Sequence, residues 1–212
     1  MYTETSRPVD AQKRIPHLSA LPDARTYTCY EHLAAAQEEG VHYTVTVHHR
    51  ADATVAVLAP HGGRIEDGTS EIAGAIAGSE HHLYLLEGRR FAHNYQTLHL
   101  TSHYFDEPRC LSLLTHADDV VAVHGCGGHD EQVLLGGLDT ALIRRIASEL
   151  LEFGIDVRTD GHRFPGKNPL NICNRGRRRM GVQLEITHRL RRSSRSADVV
   201  EAVRKSLGRA RP

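Results

Sequence analysis

The chain has 212 residues, with Lys+Arg and Asp+Glu balanced at 26 each. That length suits one domain with a substantial core, and the balanced charge excludes a global field drawing the whole chain to nucleic acid or a membrane surface. Cys29, Cys110, Cys126 and Cys173 form no CxxC pair, which excludes a zinc ribbon or thioredoxin-type motif and predicts reduced, mostly buried thiols.

Residues 1–24 are polar, carry Pro8, Pro16 and Pro22 and show no period, so a loosely ordered arm is expected there, with a single domain over 25–212. The N-terminus has no apolar signal region, and no apolar stretch reaches the ~20 residues needed to cross a bilayer. A soluble, cytoplasmic, monomeric protein is expected, released on lysis in a phage setting. YEHLAAAQEEG predicts a short helix stopped at Gly40, HYTVTVHHR a strand with two-residue alternation, and ATVAVLA a strand buried on both faces. A turn at Gly62-Gly63 follows, then a helix over Ser70 to Gly78, and then the strand HHLYLLEG. LHLTS is strand-like and leads into the loop HYFDEP, a helix is expected near Pro108 to His116, and DDVVAVHG is the second strand buried on both faces. Leu138, Leu142, Ile143, Ile146, Leu150 and Leu151 mark a helical stripe stopped at Gly154. IDVRT predicts a strand, 160–174 a long loop, GVQLEIT a strand, and SADVVEAVRKSL a last helix with Ser196 as N-cap. Strands alternate with helices throughout, which predicts an α/β fold with helices on both faces of a mainly parallel or mixed sheet.

With 16 histidines in the chain, position rather than number must select candidate ligands. Three strand-like runs end in groups able to bind or serve a metal. TVAVLAPHGGRIE carries His61 and Glu66, DDVVAVHGCGG carries His124, and MGVQLEIT carries Glu185. Ligands bind at the carboxyl edge of parallel strands. Two imidazoles and a carboxylate gathered there form a three-ligand zinc shell with an open position, and a second carboxylate is what metal-assisted hydrolysis needs as a base. Each residue has a bland alternative. His61 and His124 can be hydrogen-bonded strand-end residues, Glu66 a solvated carboxylate at a helix start, and Glu185 an ion-pair partner for one of the many arginines.

The blocks PHGGRIE, LHLTSHYFDEP, VAVHGCGG, LLGGLD, NICNRG and GVQLEI, in this order, resemble the poly-γ-glutamate hydrolase family of bacteriophages and bacterial genomes. The resemblance spans roughly Ala51 to Arg191. It implies a zinc-carboxypeptidase-like three-layer α/β sandwich around a mixed sheet, with Zn2+ held by His61, Glu66 and His124 and with Glu185 as general base and acid. His61 and Glu66 are five positions apart, which fits this family but departs from the three-residue spacing of the zinc carboxypeptidases. An anionic polyglutamate substrate calls for arginines able to pair with carboxylates. Asn174 and Arg175 are the leading candidates for substrate contact, with Arg64, Arg89 and Arg90 next and Arg189 or Arg191 after the Glu185 strand. A different zinc amidohydrolase, acting on an N-acyl amino acid or a peptidoglycan-type amide, is an alternative on the same scaffold. So is a non-enzymatic binder using NRGRRR and the basic tail with Arg204, Lys205, Arg209 and Arg211, although balanced charge and the absence of Trp argue against nucleic acid.

Overall fold

The computed structural model describes residues 27–208. The expected N-terminal arm, Arg209 and Arg211 lie outside the described residues. The elements in chain order are α1 (Tyr30–Ala36), β1 (Tyr43–His48), β2 (Val55–Gly63), α2 (Thr69–Ala77), β3 (His82–Gly88), α3 (Asn94–Leu98) and α4 (Pro108–Leu114). They continue as β4 (Asp119–Cys126), β5 (Gln132–Gly137), α5 (Thr140–Glu152), β6 (Asp156–Arg158), a 3-10 turn (Ile172–Asn174), β7 (Val182–Thr187), α6 (His188–Arg192) and α7 (Ser196–Gly208). Among the described residues the strands form one seven-stranded sheet in the order β1-β3-β2-β4-β7-β5-β6. β3, β2, β4 and β7 are mutually parallel, while β1 and the β5–β6 pair run antiparallel to them. This is the mixed, mostly parallel α/β sandwich expected.

The two faces of the sheet carry separate cores. Val57, Val121, Val123, Leu184 and Ile186 pack against α2, α5 and α7 through Ile76, Ile146 and Val203. Leu58, Tyr84, Val120 and Ala122 face the other way, towards Leu33 of α1, Leu98 of α3, Leu113 of α4, Phe105 and Ile172. The α5 stripe reads as expected, with Leu142, Ile143, Ile146 and Leu150 buried, and Asp139 caps the helix by accepting from the Leu142 amide at 2.9 Å. β2 lies where the strand order turns back, with β3 on one side and β4 on the other. Its pairing with β4 stops at Leu58↔Ala122, so the two strands part towards their carboxyl ends and leave a crevice.

Several elements differ from the sequence expectations. LHLTS is not a strand: Leu98 ends α3, and Leu100 is buried outside the strands of the sheet. The alternation of its leucines records burial on one core rather than pairing. β5 was hidden behind a glycine-rich loop and its own Gly136-Gly137 end, which resembles a turn. Helix α1 stops at Ala36, short of Gly40. Ser196 is the first residue of α7 rather than a residue preceding it. The four cysteines are free, three of them buried. No helix among the described residues is long and apolar enough to cross a membrane.

Gly136 has a packing reason. The backbone of Phe164 and Pro165 lies directly over it, and an added Cβ would sit 2.6 and 2.7 Å from their carbonyl oxygens. Gly137 N donates to Pro165 O at 2.9 Å in the same contact. Gly136→Ala is therefore expected to cost about 1–3 kcal/mol of stability through overpacking against backbone that cannot rotate away, read as a lower midpoint in denaturant unfolding.

Candidate metal centre

His61, His124 and Glu185 come from three parallel strands and meet on one face at the carboxyl edge. β4 and β7 pair with His124 opposite Glu185, so their side chains share a face. That face also carries Val120 and Ala122. His61 reaches it through an irregularity in β2, whose register against β3 shifts between Ala59 and Gly62. Strict alternation from Leu58 would send residue 61 to the α2 side with Val57 and Ala59. The bulge instead turns the ring towards Phe105 and His124.

Beyond the bulge the chain folds back on itself. Glu66 N donates to His61 O at 2.9 Å, and Thr69 Oγ1 donates to Glu66 O at 2.7 Å. Gly63 makes the close turn possible with φ near +60°, and a Cβ there would lie 2.7 Å from Gly88 O. The turn returns the Glu66 carboxylate to His61 across the five-residue spacing.

The resulting cluster is tight and buried. His61 Nδ1 lies 3.1 Å from His124 Nδ1 and 3.2 Å from Glu66 Oε1, and Glu66 Oε2 lies 3.7 Å from His124 Nδ1. His61 Nε2 donates to Leu100 O at 2.8 Å. A carbonyl only accepts, so in the neutral ring the proton sits on Nε2 and the Nδ1 lone pair faces the cluster. Ser102 Oγ holds the far nitrogen of His124 at 3.4 Å. Glu66 Oε2 accepts from Gly125 N at 2.8 Å. Burial alone would push Glu66 up, but His61 and His124 beside it hold its carboxyl well below the usual carboxylate range.

His99 belongs to the same cluster and was not singled out from sequence. It follows α3, and its Nε2 is 3.7 Å from Glu66 Oε1. His61, Glu66 and His99 form a group able to hold a metal ion, with ligand atoms all within 4.8 Å of one another. The His99 ring lies between Tyr95 and His61, with centroids 4.6 and 4.0 Å away. Burial first, and then His61, push its pKa down to about 3. This neutral imidazole is a possible donor that the three-ligand expectation did not include.

Glu185 lines the same pocket, a cavity of about 590 Å³. Gln183 Nε2 donates to Glu185 Oε1 at 3.0 Å, and Gln183 is itself held by Asn171 Nδ2 at 2.8 Å. Burial, and then the negative charge of Glu66, push Glu185 up to about 8. Behind the site Arg191 is buried and donates to the carbonyls of Asp67, Cys126 and Ile186, tying the ends of β4 and β7 to the Glu66 turn.

The substrate-contact expectations need correction. Asn174 does not face the pocket. Its amide is fully buried and spent on backbone, donating to Gly166 O and Asn168 O and accepting from Leu138 N and Gly181 N. Within NICNRG it is the first residue, Asn171, that reaches the pocket. Arg175 points to the carbonyl of Phe105, under the helical layer. Arg64 and Arg89 line a separate depression beside Glu87, and Arg90 donates to Gln37. Each follows a strand at the right edge, but its loop turns it away from the cluster. Arg189 is directed to the carbonyl of His129. In the basic run, Arg177 pairs with Asp118 and Arg178 with Asp119 and Asp139, at the opposite ends of their strands from the pocket. Among the described lining residues the one guanidinium is that of Arg163, on the loop before the 3-10 turn.

A mixed, mostly parallel sheet between helical layers, with imidazoles and carboxylates gathered where its central strands part, defines an α/β protein with a candidate metal centre at the carboxyl edge. Comparison with known proteins makes the assignment specific: residues 27–201 match the poly-gamma-glutamate hydrolase family, and the chain belongs to it. Among curated relatives in Bacillus subtilis (strain 168), the SPbeta prophage-derived UPF0714 protein YoqZ is 39% identical over 143 residues, covering 66% of this chain and 52% of YoqZ. The UPF0714 protein YmaC is 35% identical over 178 residues, covering 83% of this chain and 74% of YmaC. The matched region thus spans about half of YoqZ. A solved bacteriophage poly-gamma-glutamate hydrolase superposes with a TM-score of 0.81 at 32% identity, covering 87% of this chain and 96% of that one. A second structure, YNDL-apo (zinc-free), superposes with a TM-score of 0.79 at 29% identity, covering 87% and 97%.

The raised pKa of Glu185 has a consequence for the metal-free protein. Its folded value of about 8 lies above the ordinary 4.5, so the fold favours the neutral acid. The stability this contributes is intact below pH 4.5 and is lost as pH rises through 8. In chelator-treated protein, Glu185→Gln is expected to raise the melting temperature relative to the unsubstituted chain at pH 9 and to leave it nearly unchanged at pH 4.5.

Proposed function

We propose that the protein is a zinc-dependent hydrolase that cleaves the γ-glutamyl amide bonds of poly-γ-glutamate, with Glu185 as general base and acid. The observation carrying this is the convergence of His61 Nδ1, His124 Nδ1 and the Glu66 carboxylate, 3.1 to 3.7 Å apart, in the same pocket as a second buried acid, Glu185, whose hydrogen bond comes from Gln183. Zinc–ligand bonds of about 2.0–2.1 Å in a tetrahedron set ligand atoms about 3.3 Å apart, so the donors fit the ion. Lone pairs of two imidazoles directed at a carboxylate repel one another unless a proton or a cation lies between them. The hydrolase relatives and the zinc-free description of one structural neighbour support the same choice.

Zinc held by these side chains would supply Lewis acidity to the scissile carbonyl and to the attacking water. The remaining work falls to the chain. Glu185 takes the proton of the water as the water adds to the carbonyl carbon, then returns it to the nitrogen as the carbon–nitrogen bond breaks. The clamp from Asn171 through Gln183 fixes Oε1 of Glu185 and leaves its other oxygen for that proton. Burial suits it to hold a proton between the two steps, and a cation held by the neighbouring ligands would favour the ionised form in which it begins as a base. Leu100 and Ser102 orient the two imidazoles, and Gly125 orients the Glu66 carboxylate.

Two variants test this. Glu185→Gln is expected to retain stoichiometric zinc by elemental analysis while kcat on poly-γ-glutamate falls by about 10²–10⁴-fold. His61→Ala combined with His124→Ala is expected to lose the metal. Near-normal turnover in the first variant, or full zinc in the second, would refute the assignment.

A further inference from the structure

The assigned chemistry leaves one charged group in the pocket without a role. Arg163 lines the cavity together with Glu185. No carboxylate lies within ion-pair distance of it among the described residues, and its guanidinium sits over the ring of the adjacent Phe164, 4.9 Å from the centroid. A guanidinium stacked this way keeps its in-plane N–H donors free for a planar anion.

Its position is fixed by the backbone that carries it. His162 Nε2 donates to Leu135 O at 3.0 Å, and His162 Nδ1 accepts from Phe164 N at 3.3 Å. Pro165 O is bound by Gly137 N, and Gly166 O by Asn174. The segment around Arg163 is thus anchored on both sides to β5 and to the loop before β7. This accounts for the otherwise unexplained LLGG and NICN blocks, whose small and amide residues hold the strap down.

Resting on the γ-glutamyl amide hydrolysis proposed above, we infer that Arg163 binds the free α-carboxylate of the residue on the leaving-amine side of the scissile bond. In a γ-linked chain that carboxylate stands on the carbon bonded to the scissile nitrogen. Glu185 must return its proton to this nitrogen, so a carboxylate one carbon away falls beside Glu185, and Arg163 is the pocket cation there. An internal residue of an α-linked chain has an amide on that carbon and keeps its carboxylate three carbons further out. The pocket therefore reads linkage: every bond of a γ-linked polymer offers the recognised group, whereas in an α-linked chain only the last bond does.

The test uses a γ-linked glutamate trimer and the same trimer with the leaving-side α-carboxyl converted to an amide. Binding is measured by calorimetry on zinc-loaded Glu185→Gln protein, and kcat/KM on protein with Glu185 intact. Amidation is expected to weaken both by about 10- to 100-fold, the worth of hydrogen bonds between charged groups. With Arg163→Gln added, that penalty is expected to fall to about threefold or less. Arg163→Lys should lie between, since it restores charge without the two-pronged geometry. Arg163 is exposed, so unchanged melting temperatures are expected in both variants. If Arg163→Gln keeps the full penalty, the inference is overturned while the hydrolysis stands. If binding depends on Arg163 as stated but the intact protein cuts neither trimer nor polymer, the inference holds and the proposed reaction falls.

Discussion

The site depends on the enforced approach of groups that avoid one another in water. Two imidazole nitrogens and a carboxylate within 3.7 Å of each other, all buried, are a costly arrangement without a compensating proton or cation. The fold maintains it by satisfying the outward side of each group. The carbonyl of Leu100 takes the far proton of His61, Ser102 stands behind His124, and the Gly125 amide takes one oxygen of Glu66. Because these partners come from β4 and from the segment after α3, the cluster cannot relax without moving the sheet edge or the helical layer above it.

The division of the core explains how the sheet can hold such a cluster. Hydrophobic packing with α2, α5 and α7 lies on the opposite face and is continuous beneath the site. The site's own face is apolar only towards the amino ends of the strands, where Val120, Ala122 and Leu58 meet α4 and Phe105. Moving along β4 from Val120 through Ala122 to His124, one face passes from core to polar pocket within a few residues. On β7 the pocket face carries Gln183 and Glu185, with Val182, Leu184 and Ile186 on the packed side. The charge of Arg191, buried among carbonyls, joins the ends of these two strands where ladder hydrogen bonding runs out.

Much of this was legible in the sequence for a simple reason. Strand ends are local features, and the alternation in GVQLEIT already separates Glu185 from Leu184 and Ile186. Parallel strands put the ends that carry His61, His124 and Glu185 along one edge, but the bulge that turns His61 into the pocket and the turn that returns Glu66 to it were not readable from the strand pattern. What was not legible depends on where loops travel. His99 lies in a stretch whose leucines mimic a strand, and nothing local indicates that it stacks on His61. Arg163 sits in a loop with no period, positioned by contacts to Leu135, Gly137 and Asn174 that are distant in sequence or face another element. Arg64, Arg89 and Arg90 were reasonable by edge position but not by direction, because a residue just beyond a strand points wherever its turn takes it. Asn174 illustrates the opposite error: a side chain in a distinctive block can be there for the backbone it ties together.

The register shift in β2 makes backbone conformation, more than residue type, the constrained quantity in one short stretch. Side chains on a strand alternate, so a β2 of the present length that ran on in regular phase past Leu58 would turn the imidazole into the layer occupied by Ile76 and Val203. Substitutions there can be absorbed if they keep the bulge, but one that let the strand straighten at its present length would dismantle the cluster while leaving the packed face of the sheet intact. Surface loops far from the pocket carry no such restriction and can lengthen at small entropic cost. Among homologous chains, the turn from His61 to Glu66, closed by the Glu66 amide on the His61 carbonyl, is therefore where insertions and deletions are expected to be absent.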